Sequence, residues 1–145
     1  MKIIDENKDK ENNMAVISSA KVKTFPEQWS GEIISGKHRF ITDKPESIGG
    51  QDKGPAPYDF ICSGLISCTM ITLRMYAKHK EFDLGEFTVE AFFNANKEGK
   101  EWIERRLSFV EPLSDEMHQK VLDICQKTPV TKTLLRSLEI NTSII

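Results

Sequence analysis

At 145 residues the chain is long enough for one domain with a real core and too short to expect two. A formal charge of −2, with acids and bases interspersed, excludes a basic nucleic-acid stripe or a polybasic membrane patch. The three cysteines, Cys62, Cys68 and Cys125, form no CxxC pair and no ladder with histidine. That speaks against a disulfide scaffold and a zinc site, and it suits a reducing cytoplasm.

Residues 1–13 (MKIIDENKDKENN) are mostly charged or amide side chains and read as a flexible tail ahead of a single domain over residues 14–145. No apolar segment there resembles a secretory signal. Residues 14–24 alternate weakly, as a strand does. Residues 32–35 and 38–42, separated by Gly36-Lys37, predict a hairpin with a tight turn. Residues 43–57 concentrate Pro and Gly and predict a loop.

A helix then starts near Pro57 and runs to about Lys80, with Asp59 in its first turn and Lys78, His79 and Lys80 at its end, as the helix dipole favours. Its uncharged run, Phe60 to Leu73, is too short and too tightly flanked by Asp59 and Arg74 for a bilayer span. Its apolar residues go most of the way round, so the helix expects cover on nearly all sides. Residues 87–93 and 102–110 predict a second hairpin, with Trp102, Phe92 and Phe93 on its packing face or, alternatively, lining an apolar substrate pocket, and Arg105 and Arg106 in solvent. Ser114 is the expected N-cap of a helix ended by Pro129, followed by a helical turn near residues 132–136 and a last strand over 138–144.

The order is βββ-α-ββ-α-β, an α+β class with antiparallel sheets packed on one very apolar central helix. One small sheet cannot cover a helix that is apolar nearly all round. An obligate homodimer, with the helices packed together, is therefore expected.

Pro57-Tyr58-Asp59, Gly64 and SCTMITLRMYA through Ala77 resemble the central helix of the OsmC/Ohr superfamily of thiol peroxidases. His38, Asp43-Lys44-Pro45 and the glycines from Gly49 to Gly54 are similar to one branch of OsmC-like proteins. TPVTKTL (residues 128–134) resembles the family's second motif, in which a cysteine precedes Pro-Val. The resemblance spans roughly residues 15–145. It implies an intertwined, cytoplasmic homodimer that reduces organic hydroperoxides with an external thiol or dithiol, without metal or organic cofactor, and without nucleic-acid or membrane partners.

The resemblance also assigns roles. Cys68 matches the peroxidatic cysteine, and Thr128 stands where the resolving cysteine is expected, which is a departure from the pattern. Arg39 is the candidate for activating the Cys68 thiolate, and Asp59 the candidate for orienting that arginine. An ordinary cysteine, with a pKa of about 8.5, is only a few per cent ionised at neutral pH, and burial lowers that fraction further. A nearby cation is therefore needed. Arg74, six residues on from Cys68, lies about 120° away in helical projection and is less well placed.

Cys62 lies six positions before Cys68, roughly 9 Å along the helix, too far for a disulfide in the intact helix. Cys125, three residues before Thr128, is either an alternative resolver after local rearrangement or a core thiol. Three readings remain open. One is hydroperoxide reduction through Cys68 without the usual resolver. Another is a non-catalytic homodimer that holds a small lipophilic ligand in an interface pocket. The third is a structural domain in which Cys68 only packs.

Overall fold

The computed structural model of the chain describes residues 15–145, so the expected tail over 1–13 lies outside the described residues, as does Met14. The described residues form two compact units, one of residues 15–56 with 139–145 and one of residues 57–138.

The first unit is an antiparallel sheet of three strands in the order β1 (Lys21–Thr24), β2 (Gly31–Ser35) and β3 (His38–Thr42). Strands β2 and β3 are joined through Gly36, whose φ of 59° needs a residue without a Cβ clash. After β3 the chain folds back through a 3-10 turn, Glu46–Ile48, into a loop built round Asp43. The Asp43 carboxylate accepts from the backbone N–H groups of Lys44 (2.7 Å), Gln51 (3.2 Å) and Lys53 (3.3 Å). Desolvation pushes its pKa up, but those three donors outweigh it and hold the group below the ordinary carboxylate value. A Cβ at Gly50 would collide with the Lys44 carbonyl, so only glycine closes this turn.

The second unit starts with helix α1 (Pro57–His79), followed by the hairpin β4 (Phe87–Ala95) and β5 (Glu101–Phe109), then α2 (Asp115–Cys125) and α3 (Pro129–Leu135). Phe87 faces Phe109, Val89 faces Leu107, Ala91 faces Arg105 and Phe93 faces Ile103 across the hairpin. Those alternate positions make the half-buried face of the sheet, as period-two side chains require. The hairpin loop is tied by the Asn96 side chain, which accepts from the N–H of Glu98 and of Lys100. Ser114 caps α2 by accepting from the N–H of Met117 at 3.1 Å. Leu73, Ala77, Leu84, Val121 and Cys125 are the buried core, flanked by Phe87, Leu107, Phe109 and Met117.

Helix α1 buries only Leu65, Thr69, Leu73 and Ala77, a stripe at four-residue spacing. Tyr58, Ile71 and Met75 are 53%, 47% and 67% exposed within a single chain, so the expected all-round cover is not supplied by one copy. By length and composition this helix could cross a membrane, with 22% of its most apolar window buried. The helix and hairpin expectations hold to within a residue or two. Four others change. The strand expected within residues 14–24 forms only over Lys21–Thr24. No strand forms over 138–144. The helical turn placed at 132–136 is a longer helix that starts at Pro129 with Thr128 as its N-cap. And α2 ends at Cys125, so Cys125 and Thr128 do not share a helix.

Candidate functional site

Strand geometry sends consecutive side chains to opposite faces, so Arg105 and Arg106 cannot both lie in solvent. Arg106 lies on the outer face, its guanidinium 4.8 Å from the centre of the Phe92 ring. Arg105 turns inward opposite Ala91, whose small side chain leaves room for it. Its Nη1 donates to Thr69 Oγ1 at 3.0 Å and Thr131 Oγ1 at 2.8 Å, and its Nη2 donates to the Cys125 carbonyl at 2.9 Å. One guanidinium therefore joins β5, α1, α3 and the end of α2. Its partners are three neutral oxygens, and no carboxylate is among them.

The hydroxyl network continues to the second motif. Thr128 Oγ1 and Thr131 Oγ1 lie 2.6 Å apart, and Thr128 is fully buried. The Thr69 hydroxyl in turn donates to the Leu65 carbonyl at 2.8 Å. The position assigned to a resolving cysteine is thus a sealed hydroxyl in the anchor of Arg105.

Cys68 is next to Thr69 but lies outside this network. It is half-buried, and its Sγ is 3.9 Å from Thr72 Oγ1 one turn on. Cys125 is 2% exposed. Burial pushes its thiol pKa up, and the Arg105 guanidinium offsets only part of that. All three cysteines are free thiols. Arg39 is exposed, and its Nη1 is 2.9 Å from Glu32 Oε1 in the first unit. Asp59 is exposed in the first turn of α1. The structure thus ties Cys125 and Thr128 to one hub through Arg105, and it engages Arg39 with Glu32.

Beside the hub is a cavity of about 780 Å³, open on one side. Leu65, Ile103, Leu107, Leu122 and Leu134 give it apolar walls, and Arg105, Thr131 and Cys125 also line it. Cys68 is not among its lining residues. Phe93 lines the cavity and packs on Tyr58 with ring centres 4.5 Å apart, as its expected packing role requires. Phe92 and Trp102 are 41% and 38% exposed, which corrects their expected place on the packing face, while Trp102 takes the other place open to it, on the cavity wall. Among the described residues, no group of three or more His, Cys, Asp or Glu side chains could hold a metal.

The model of the OsmC-like protein family matches residues 50–143, which take in α1, the second hairpin, Cys68, Arg105, Cys125 and Thr128. The chain belongs to the OsmC-like family. Solved OsmC/Ohr structures share its fold. An OsmC-like protein from Mycoplasma pneumoniae matches with a TM-score of 0.70 at 18% identity, over 84% of this chain and 89% of that one. An organic hydroperoxide resistance protein OsmC from Legionella pneumophila matches with a TM-score of 0.64 at 13% identity, over 83% and 90%. An organic hydroperoxide resistance protein from Elizabethkingia anophelis matches with a TM-score of 0.61 at 20% identity, over 83% and 89%. No curated protein matches the chain by sequence. The OsmC-like match starts at residue 50, so it takes in Asp59 and leaves out Arg39.

Proposed function

We propose that this OsmC-like protein is a thiol-dependent organic hydroperoxide reductase with one reacting cysteine, Cys68. The observation that carries the reading is the contrast among the thiol positions of the two motifs. Cys68 is partly exposed on the central helix, whereas the resolving position is a buried threonine and Cys125 is sealed with a raised pKa. The Cys68 thiolate attacks one peroxide oxygen, the O–O bond breaks, and the alcohol leaves after taking a proton; the sulfur is oxidised to a sulfenic acid. An external thiol then condenses with the sulfenic acid, releasing water and leaving a mixed disulfide. A second external thiol reduces that disulfide and returns Cys68. A reducing cytoplasm supplies such thiols. Arg39 is the residue proposed to favour the thiolate, with Asp59 proposed to orient it, and Arg39 would exchange its Glu32 partner to do so.

A second copy of the chain is the proposed cover for Ile71 and Met75, because neighbouring apolar side chains so exposed on one helix face mark an interface. The alternative reading, a non-catalytic homodimer holding a lipophilic ligand, is favoured by the apolar cavity from which Cys68 is absent.

Treatment of reduced protein with one equivalent of cumene hydroperoxide, with dimedone present, tests the enzyme reading by intact mass. Dimedone adds to wild type and to Cys125→Ser but not to Cys68→Ser. Wild-type oxidation no faster than that of free cysteine would remove the enzyme reading and leave the ligand-holding one.

A further inference from the structure

A guanidinium has five N–H donors, and the three hydrogen bonds of Arg105 leave Nε–H and one Nη2–H without an acceptor among the described residues. This charge lies half-buried on the wall of an apolar cavity, with its orientation already fixed from α1, α3 and α2. Cavities of a few hundred to about a thousand Å³ with apolar walls and few polar groups are the usual form of small-molecule sites. Here the fixed polar group is a cation with no anion paired to it among the described residues.

We infer that the Arg105 cavity binds a lipophilic carboxylate, with the acid group on the free edge of Arg105 and the hydrocarbon chain along Ile103, Leu107, Leu122 and Leu134. Charge complementarity selects the acid. A carboxylate accepts parallel N–H bonds from a guanidinium, an alcohol or ester does not match that geometry, and a cation is repelled. The one acidic residue on the cavity wall, Glu101, is four residues from Arg105 on the same strand face, roughly 13 Å away at strand spacing. It leaves the Arg105 end as the anion's place.

The proposal sharpens the ligand-holding alternative and does not need Cys68 to react. Its test therefore uses the Cys68→Ser protein, full length, so that peroxide chemistry and binding fail separately. Isothermal titration with octanoate, 1-octanol and octyltrimethylammonium at neutral pH reads the preference directly. Octanoate binds roughly tenfold or more tighter than octanol, the scale of one good charge-assisted contact, and the cation does not bind measurably. Arg105→Gln brings octanoate down to the level of octanol. Leu134→Trp, at a position 43% exposed and one turn after Thr131, fills the cavity and weakens both ligands while thermal unfolding stays intact. If Arg105→Gln fails to fold, the ligand series and Leu134→Trp still decide. Equal binding of octanoate and octanol overturns the proposal. So does the absence of binding combined with loss of self-association in Leu134→Trp, which would assign the cavity to a second copy of the chain.

Discussion

Cys68 and Cys125 lie on helices that pack together, yet their surroundings differ in kind. Cys68 is partly buried and touches one hydroxyl weakly. Cys125 is closed in the core, its thiol held protonated by burial and its carbonyl gripped by Arg105. The difference shows that a thiol on a core helix is not made reactive by position in a motif. Reactivity requires access and a thiolate, and the second motif of this chain supplies an anchor instead. Thr128, Thr131 and Thr69 form a chain of hydroxyls that fixes a guanidinium, where the resemblance leads one to expect redox chemistry.

The largest effect expected from breaking this contrast is at the anchor. Arg105→Ala removes three hydrogen bonds that join four elements, a loss of about 3 kcal/mol in urea unfolding. Cys68→Ala, by contrast, changes stability by no more than about 0.5 kcal/mol, because its side chain holds nothing else in place. Comparable losses at both sites would show that Cys68 is as structural as the hub.

Arg105 was also the residue least legible in the sequence. Two adjacent arginines look like a solvated face, but strand parity requires one of them to turn inward, and Ala91 opposite position 105 marks which one. The hairpins, the central helix and the Ser114 cap were legible because each is specified locally, by alternation, by an uncharged run or by a single capping side chain. The last strand was not. Alternation over 138–144 specifies one edge, but a strand requires a second edge to pair with, and no local pattern supplies it. Thr128 was recognised as a departure from the family pattern, whereas its partner Thr131, three residues on, becomes visible only once α3 begins at Pro129.

Smaller effects sharpen the same comparison. Thr128→Val keeps the shape and removes the hydroxyl that meets Thr131, with an expected cost of about 1 kcal/mol by the same unfolding measurement. Smaller still is the pH effect of Cys125. Its folded pKa is raised, so its contribution to stability is complete below the ordinary thiol value of 9.0 and is lost as pH rises through the raised value. Unfolding midpoints of wild type and Cys125→Ala measured from neutral to alkaline pH should therefore converge as the pH increases. A constant difference across that range would mean that the thiol is not held protonated by the fold.

The measurement that tests the account most directly is made on Thr128→Cys. If Cys68 is the peroxidatic thiol and position 128 the place from which the fold resolves it, one equivalent of organic hydroperoxide converts this variant to an intramolecular disulfide. Intact mass then falls by two hydrogens, dimedone labelling disappears, and both changes vanish in the Cys68→Ser, Thr128→Cys double variant. Wild type under the same conditions keeps the dimedone-reactive sulfenic acid. A Thr128→Cys protein that labels with dimedone as wild type does, or that does not react with the peroxide at all, would contradict the account.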